Sequence, residues 1–274
     1  MSDLPVMITV APNGARRGKA DHPAIPLTTG EIAAEAVACR SAGAAILHLH
    51  VRDPDGQHTL DPGRYAETLA VLREATDLVV QPTTECVGRF GPGQMMAVQR
   101  QLVPEMISLN LNELLGARGD AELGAARHFL AEVHAAGTVP QYLLFSREMV
   151  EEFRHWWQQG WVPQARPFVL LVLGRYGGAA GSRADLRELL RILPAEWCWG
   201  VCAFGAEELP VNVLAALAGG HCRVGFENNL ERRPGEPLPD NHTQVAHLAA
   251  LLGELDRPLA TPAHVRQRFG LKPR

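Results

Sequence analysis

Ala45-Ile46-Leu47-His48-Leu49-His50-Val51, running into Arg52-Asp53-Pro54-Asp55-Gly56, is the stretch on which the fold turns. An apolar run of strand length stops at a cluster of turn residues. Upstream, residues 29–42 read as a helix, and Gly43 ends it as C-terminal glycines commonly do. Downstream, residues 62–75 read as a second helix that leads to another short apolar run, Leu78-Val79-Val80-Gln81. Strand, turn, helix and strand again make the repeating unit of a parallel α/β sheet.

The unit recurs in both directions. A first strand is predicted at 6–11, a fourth at 106–110 and a fifth at 138–145. The sixth falls at 168–173, the seventh at 197–204 and the eighth at about 221–226, with a helix over 240–255 closing the set. Eight strands with intervening helices and no linker predict an α/β fold of the (β/α)8 TIM-barrel type. A doubly wound open sheet is the alternative, but it would not usually need eight parallel units. The 274 residues suit one barrel domain over 1–274, with a short C-terminal extension from about residue 258.

Composition narrows the function. The chain has 26 basic and 30 acidic residues, scattered, for a net charge of −4. That balance leaves no footprint for nucleic acid or an anionic membrane. No apolar run approaches the ~20 residues of a membrane span. Met1-Ser2-Asp3-Leu4-Pro5 does not read as a signal peptide, so a cytoplasmic location is expected. The five cysteines, an odd number without paired spacing, argue against a disulfide framework. Cys198 and Cys202 lie in an apolar segment and read as core thiols. Lysine occurs only at Lys19 and Lys272, and neither sits in an apolar strand, so Schiff-base chemistry lacks a candidate.

Barrel enzymes carry their chemistry at the carboxyl ends of the strands. His48 and His50, two apart on a strand, project from one face, and Leu49 then points out to the helices. Two converging imidazoles can bind a borderline-soft divalent cation; a hydrogen-bonded pair of core histidines is the plain alternative. Glu227 follows the eighth strand, which neighbours the first and so lies close to the second. Two histidines and a carboxylate leave positions open for substrate or water, as in catalytic zinc sites. A helix-capping or surface carboxylate is the other reading of Glu227. Arg223 stands amid apolar strand residues, where burial is costly without an anion, and an anion-facing role is favoured over a structural ion pair.

Four blocks in order along the chain carry a family resemblance. They are Ile8-Thr9-Val10-Ala11-Pro12-Asn13-Gly14-Ala15, His48-Leu49-His50-Val51-Arg52-Asp53-Pro54-Asp55-Gly56, Gln81-Pro82-Thr83-Thr84-Glu85 and Arg223-Val224-Gly225-Phe226-Glu227-Asn228-Asn229. The chain resembles the β-keto acid cleavage enzymes, among them the 3-keto-5-aminohexanoate cleavage enzyme of lysine fermentation. The resemblance implies a (β/α)8 barrel, commonly tetrameric, with one zinc ion on His48, His50 and Glu227. It implies conversion of a β-keto acid plus acetyl-CoA into acetoacetate and a new acyl-CoA, by a retro-Claisen sequence with CoA as acyl acceptor. Arg223 matches the family's active-site arginine, and Thr83 or Thr84 falls near its catalytic serine or threonine.

The chain departs from that pattern at telling places. The aspartate that often follows the zinc glutamate is Asn228 here, and an amide cannot take a proton at neutral pH; Glu85 is the substitute base to consider. Arg16 replaces the glutamate of the amino-substrate enzyme, and acidic residues of its fifth strand fall near Gln141 and Leu143. Exchange of acid for arginine disfavours an ammonium-bearing substrate and suits a neutral or anionic one.

Weaker signals complete the expected site. Asn13 and Arg16 in the first loop, with Ser108 and Asn110 alternating onto one face of strand four, are the expected substrate contacts. Arg16, Arg17 and Lys19 form a small basic group that suits CoA phosphates, a substrate carboxylate or plain solvent. Gly177 and Gly178, in the loop Gly174-Arg175-Tyr176-Gly177-Gly178-Ala179-Ala180-Gly181-Ser182, offer backbone for a CoA phosphate at a helix N-terminus, or a plain βα turn. His58, His128, His134, His155, His242, His247 and His264 read mostly as surface residues. A metal-dependent hydrolase of the amidohydrolase type competes, although it carries its histidine pair on strand one. The non-catalytic alternative is a metal-binding member that has lost turnover.

Overall fold

In the computed structural model, which describes residues 4–274, the predicted apolar runs form eight parallel strands. Met1, Ser2 and Asp3, part of the stretch read for a targeting signal, lie outside the described residues. The strands are β1 (Ile8–Val10), β2 (Ile46–Leu49), β3 (Val79–Pro82), β4 (Met106–Leu109), β5 (Val139–Leu144), β6 (Phe168–Leu173), β7 (Cys198–Ala203) and β8 (His221–Val224). Hydrogen bonding runs in the order β3-β2-β1-β8-β7-β6-β5-β4. β8 therefore lies beside β1 and β1 beside β2, the adjacency that brings Glu227 near the histidines.

Each strand is followed by a helix: α1 (Thr29–Ser41), α2 (Pro62–Ala75), α3 (Pro92–Leu102), α4 (Asp120–Ala135), α5 (Arg147–Gln158), α6 (Arg183–Leu190), α7 (Glu208–Leu217) and α8 (Asn241–Glu254). Short polar side chains start many of them. Thr28 forms a reciprocal cap with Glu31, and Asp61, Ser146 and Asp240 each accept a backbone N–H of the first turn. Among the described residues no helix is long and apolar enough to cross a membrane.

Alternation along the strands sorts the barrel interior into layers. Met7, Ile46, Val79, Met106, Phe168 and Cys198 form an apolar plug at the amino end, packed against Ala260 and Val265 of the tail. Two residues further along, the layer turns polar on β2, β3, β4, β5 and β8, with His48, Gln81, Ser108, Gln141 and Arg223, all buried, while β6 and β7 bring Leu170 and Gly200. One more step reaches the mouth. Leu47 and Leu49 face the helices in the main apolar cluster, as the strand pattern required.

The wall has one seam. β3 and β4 run side by side, but among the described residues no backbone ladder joins them. Thr84 bridges the mouth end by donating to the Ser108 carbonyl at 2.8 Å. Arg266 bridges the opposite end. Its guanidinium donates to the Asp77 carbonyl (2.8 Å) and the Leu78 carbonyl (3.3 Å), and grips the Glu105 carboxylate at 2.6 and 3.0 Å. This residue belongs to a last helix, α9 (Pro262–Phe269), that the sequence showed only as a short extension. Two small hairpins also went unforeseen: Val51–Arg52 with His58–Thr59, and Glu231–Arg233 with Glu236–Pro237.

Candidate active site

β8 ends at Val224, and the chain turns through Gly225, where φ is 138° and the Ala11 backbone leaves no room for a side chain. The turn carries Glu227 back over β1, with its N–H donating to the Ala11 carbonyl at 3.1 Å. Gly14, also at positive φ, lets the first loop press on the same side chain; a Cβ there would stand 2.5 Å from Glu227 Cγ.

Three ligand atoms converge at this point. His48 Nε2 lies 3.1 Å from His50 Nε2, and Glu227 Oε2 lies 3.6 and 3.3 Å from the two. A tetrahedral ion with ligands at 2.0–2.1 Å requires edges of about 3.3 Å, so the spacing fits a divalent metal. The charge states fit as well. Burial, helped by the Arg223 charge, lowers His48 to about 4, and burial holds His50 well below the ordinary imidazole range. For Glu227, burial alone would raise the carboxyl, but its surroundings, the Arg223 guanidinium above all, hold it well below the usual range. Neutral imidazoles and an ionised carboxylate are what a cation needs. Among the described residues this is the group of three able to hold one.

A polar relay orients the first ligand. His48 Nδ1–H donates to Gln81 Oε1 at 2.9 Å, and Gln81 Nε2 donates to Gln141 Oε1 at 3.1 Å. The tautomer that results leaves the Nε2 lone pair facing the ligand cluster. Gln141 therefore supports the site from below and does not touch the cavity. Arg223 pairs with Glu227 Oε1 and also faces the cavity, its Nε buried without a partner.

Over the cluster opens a cavity of about 410 Å³ at the carboxyl ends of the strands. Thr83, Thr84, Glu85, Asn228, Arg16, Ser108 and Asn110 all line it. Ser108 Oγ and both amide atoms of Asn228 are buried without a protein partner, as groups kept for a ligand would be. The Thr84 hydroxyl is occupied by Ser108, Thr83 Oγ1 accepts the Glu85 N–H at 3.1 Å, and Asn110 caps the one-turn helix Leu111–Leu115. Glu85 pairs with Arg16 at 3.5 Å. Burial, with the nearby Glu227 charge, pushes its carboxyl up to about 7 against the pull of Arg16.

Other expected residues stand apart. Asn13 holds the Pro26 and His50 carbonyls at 2.9 and 3.2 Å and lines a smaller neighbouring recess. Gly177 and Gly178 sit at the tip of a loop closed by a Gly174–Ala180 bridge, while their neighbours Arg175 and Tyr176 reach the cavity. The helix that follows starts five residues later, its first N–H groups already met by Ser182 and Asp185. His58 is not a surface residue: the first hairpin buries it, with its ring 5.1 Å from that of His50 and Nε2 donating to the Glu85 carbonyl at 2.8 Å. Residues that sequence reasoning passed over include Glu113, Phe145, Val172 and Phe204; Leu143, named only for the acid it replaces, and Cys202, read as a core thiol, line the cavity with them.

Residues 5–271 match the family model described as beta-keto acid cleavage enzyme. The chain belongs to the β-keto acid cleavage enzyme family. Among its relatives in that family, the 3-keto-5-aminohexanoate cleavage enzyme of Fusobacterium nucleatum is 33% identical, with 97% of this chain and 98% of that protein aligned. The 3-oxoadipate:acetyl-CoA acetyltransferase of Cupriavidus necator is 30% identical over 97% of this chain and 95% of its own. The fold matches the apo structure of ObcA with a TM-score of 0.72 at 18% identity, over 91% of this chain and 66% of that one. The chain thus spans about two thirds of ObcA's length.

Proposed function

We propose that this enzyme transfers an acyl group from a β-keto acid to CoA, using acetyl-CoA and releasing acetoacetate, in a cytoplasmic, single-domain barrel that assembles as a homotetramer. The observation that carries this reading is the convergence of His48, His50 and Glu227 on the floor of a 410 Å³ cavity lined by unpartnered polar groups. The three side chains would hold one Zn²⁺, which supplies Lewis acidity toward the keto and carboxylate oxygens of the substrate.

The remaining chemistry falls to the chain's own residues. Asn228 cannot act as base, and Glu85, at about 7, is poised to do so. Its carboxylate takes a proton from C2 of the keto acid, and the resulting carbanion attacks the acetyl-CoA thioester carbonyl. CoA thiolate, released there, attacks C3. The C2–C3 bond then breaks, and the carbanion left at C2 takes the proton back from the Glu85 carboxyl, giving acetoacetate and the new acyl-CoA. Arg223 faces the charge that develops on the oxygens, while Ser108 and the Asn228 amide offer hydrogen bonds to the substrate, with Thr83, Thr84, Asn110 and Asn13 fixing the surrounding backbone. Arg16 tunes Glu85. The rim made by Arg175, Tyr176, Gly177 and Gly178, with Arg17 stacked 5.3 Å over the Tyr176 ring, faces incoming CoA.

The test is incubation of zinc-loaded protein with acetyl-CoA and a panel of β-keto acids, with acetoacetate as readout. Acetoacetate formation supports the proposal. Water-dependent cleavage without CoA points to a hydrolase, and bound zinc with no reaction points to a member that has lost turnover.

A further inference from the structure

The cavity has two chemically different halves. Charge enters from β1, β3, β4 and β8 through Arg16, Glu85, Glu113, Arg223 and Glu227, joined at the rim by Arg175 of the β6 loop. The wall opposite the metal cluster is built by β5, β6 and β7 and the residues just after them: Leu143, Phe145, Val172, Cys202 and Phe204. Val172 and Cys202, packed with Leu170, Leu143 and Phe204, form a separate apolar cluster within the barrel. Below Arg175 in the rim loop, no charged side chain rises from this wall, and strand alternation turns Leu143, Val172 and Cys202, all within the strands, toward the interior.

A β-keto acid held by its carboxylate and keto oxygens at the histidine side must send its chain from C4 onward toward that wall. Two cations stand near that path: Arg16 is paired with Glu85, and Arg175 belongs to the rim loop beyond the end of β6 rather than to the wall itself. Resting on the acyl-transfer reading above, we propose that the substrate is a 3-oxo acid with an uncharged aliphatic tail, seated on Leu143, Val172, Cys202 and Phe204. A tail carrying an ammonium or a second carboxylate loses hydration there and gains no partner.

The test pairs kinetics with binding. Straight-chain 3-oxo acids from five to eight carbons, 3-oxoadipate and 5-amino-3-oxohexanoate are given to zinc-loaded enzyme with acetyl-CoA. In parallel, calorimetry measures binding of the same acids without acetyl-CoA. Both kcat/KM and affinity rise roughly fourfold per added methylene until the wall is covered. The charged acids fall about 10- to 100-fold below 3-oxohexanoate. Val172→Thr, which keeps the side-chain shape, flattens the rise with chain length. Leu143→Lys, at a half-buried position, shifts preference toward 3-oxoadipate. Turnover without the chain-length trend, or with a charged acid preferred, overturns this inference and leaves acyl transfer standing. The trend in binding with no acetoacetate formed keeps the tail site and sinks the acyl-transfer reading. Failure of every keto acid to bind overturns both.

Discussion

Glu85 as general base makes a quantitative claim about pH. The catalytic form is the carboxylate, so kcat/KM should climb as pH rises through about 7 and level off above it. Arg16 is the handle that moves this limb. It sits 3.5 Å from the carboxylate with half of its side chain in solvent, so a water-like dielectric applies and the attraction is about 1 kcal/mol. Losing it in Arg16→Met should raise the Glu85 pKa by between half and one unit, at about 1.4 kcal/mol per unit, and physiological salt trims this toward the lower end. The assay is a pH profile of kcat/KM between 5 and 9 for wild type, Arg16→Met and Glu85→Gln. The arginine variant shifts the acidic limb to higher pH, and the glutamine variant flattens it with a rate loss of about 10²- to 10⁴-fold. An unmoved limb in Arg16→Met, or an intact one in Glu85→Gln, would refute the assignment.

Further outcomes are expected from the same geometry. His48→Ala should abolish metal binding and activity together, and stoichiometric zinc by elemental analysis of that variant would contradict the site. Gln81→Leu removes the acceptor of the His48 Nδ1–H and should weaken metal binding about 10- to 100-fold in chelator competition. Glu208, buried beneath the Glu227 turn and bonded by Asn229 and Gln244, has its carboxyl raised by burial to about 8. The folded state therefore holds a proton the unfolded state releases near 4.5, and stability falls by about 1.4 kcal/mol per pH unit between the two values. Denaturation across pH should show Glu208→Gln gaining on wild type over that window and the gain saturating above pH 8. Arg266→Met should cost about 2–3 kcal/mol in denaturant unfolding, because buried carbonyls and a half-shielded Glu105 lose their donor.

The barrel was legible because its strands are short, apolar and separated by helix caps and glycine stops, which local chemistry enforces. The cluster of candidate ligands was legible too: alternation put His48 and His50 on one face, and eight-strand closure put Glu227 beside them. The apolar wall was not. Val172 and Cys202 lie in runs that are apolar on both faces, as buried parallel strands are, so nothing distinguishes an inward residue from an outward one, and Leu143 drew notice only for the acid it replaces. His58 misled because a polar residue in a loop reads as exposed until a hairpin register buries it. The Gln81–Gln141 relay joins residues 60 apart, and no local pattern announces it.

The break between β3 and β4 has a bearing beyond stability. A cylinder fastened by continuous hydrogen bonding at every joint but one opens first at that joint, and here the joint runs straight up to Ser108, Thr84 and Glu85. Its fastening at the far end is supplied by the chain's final helix, remote from every reacting atom. Loss of α9 therefore loosens the spacing between Glu85 and the Ser108 hydroxyl across from it, so that a helix at the far end of the barrel sets how firmly the mouth holds its shape.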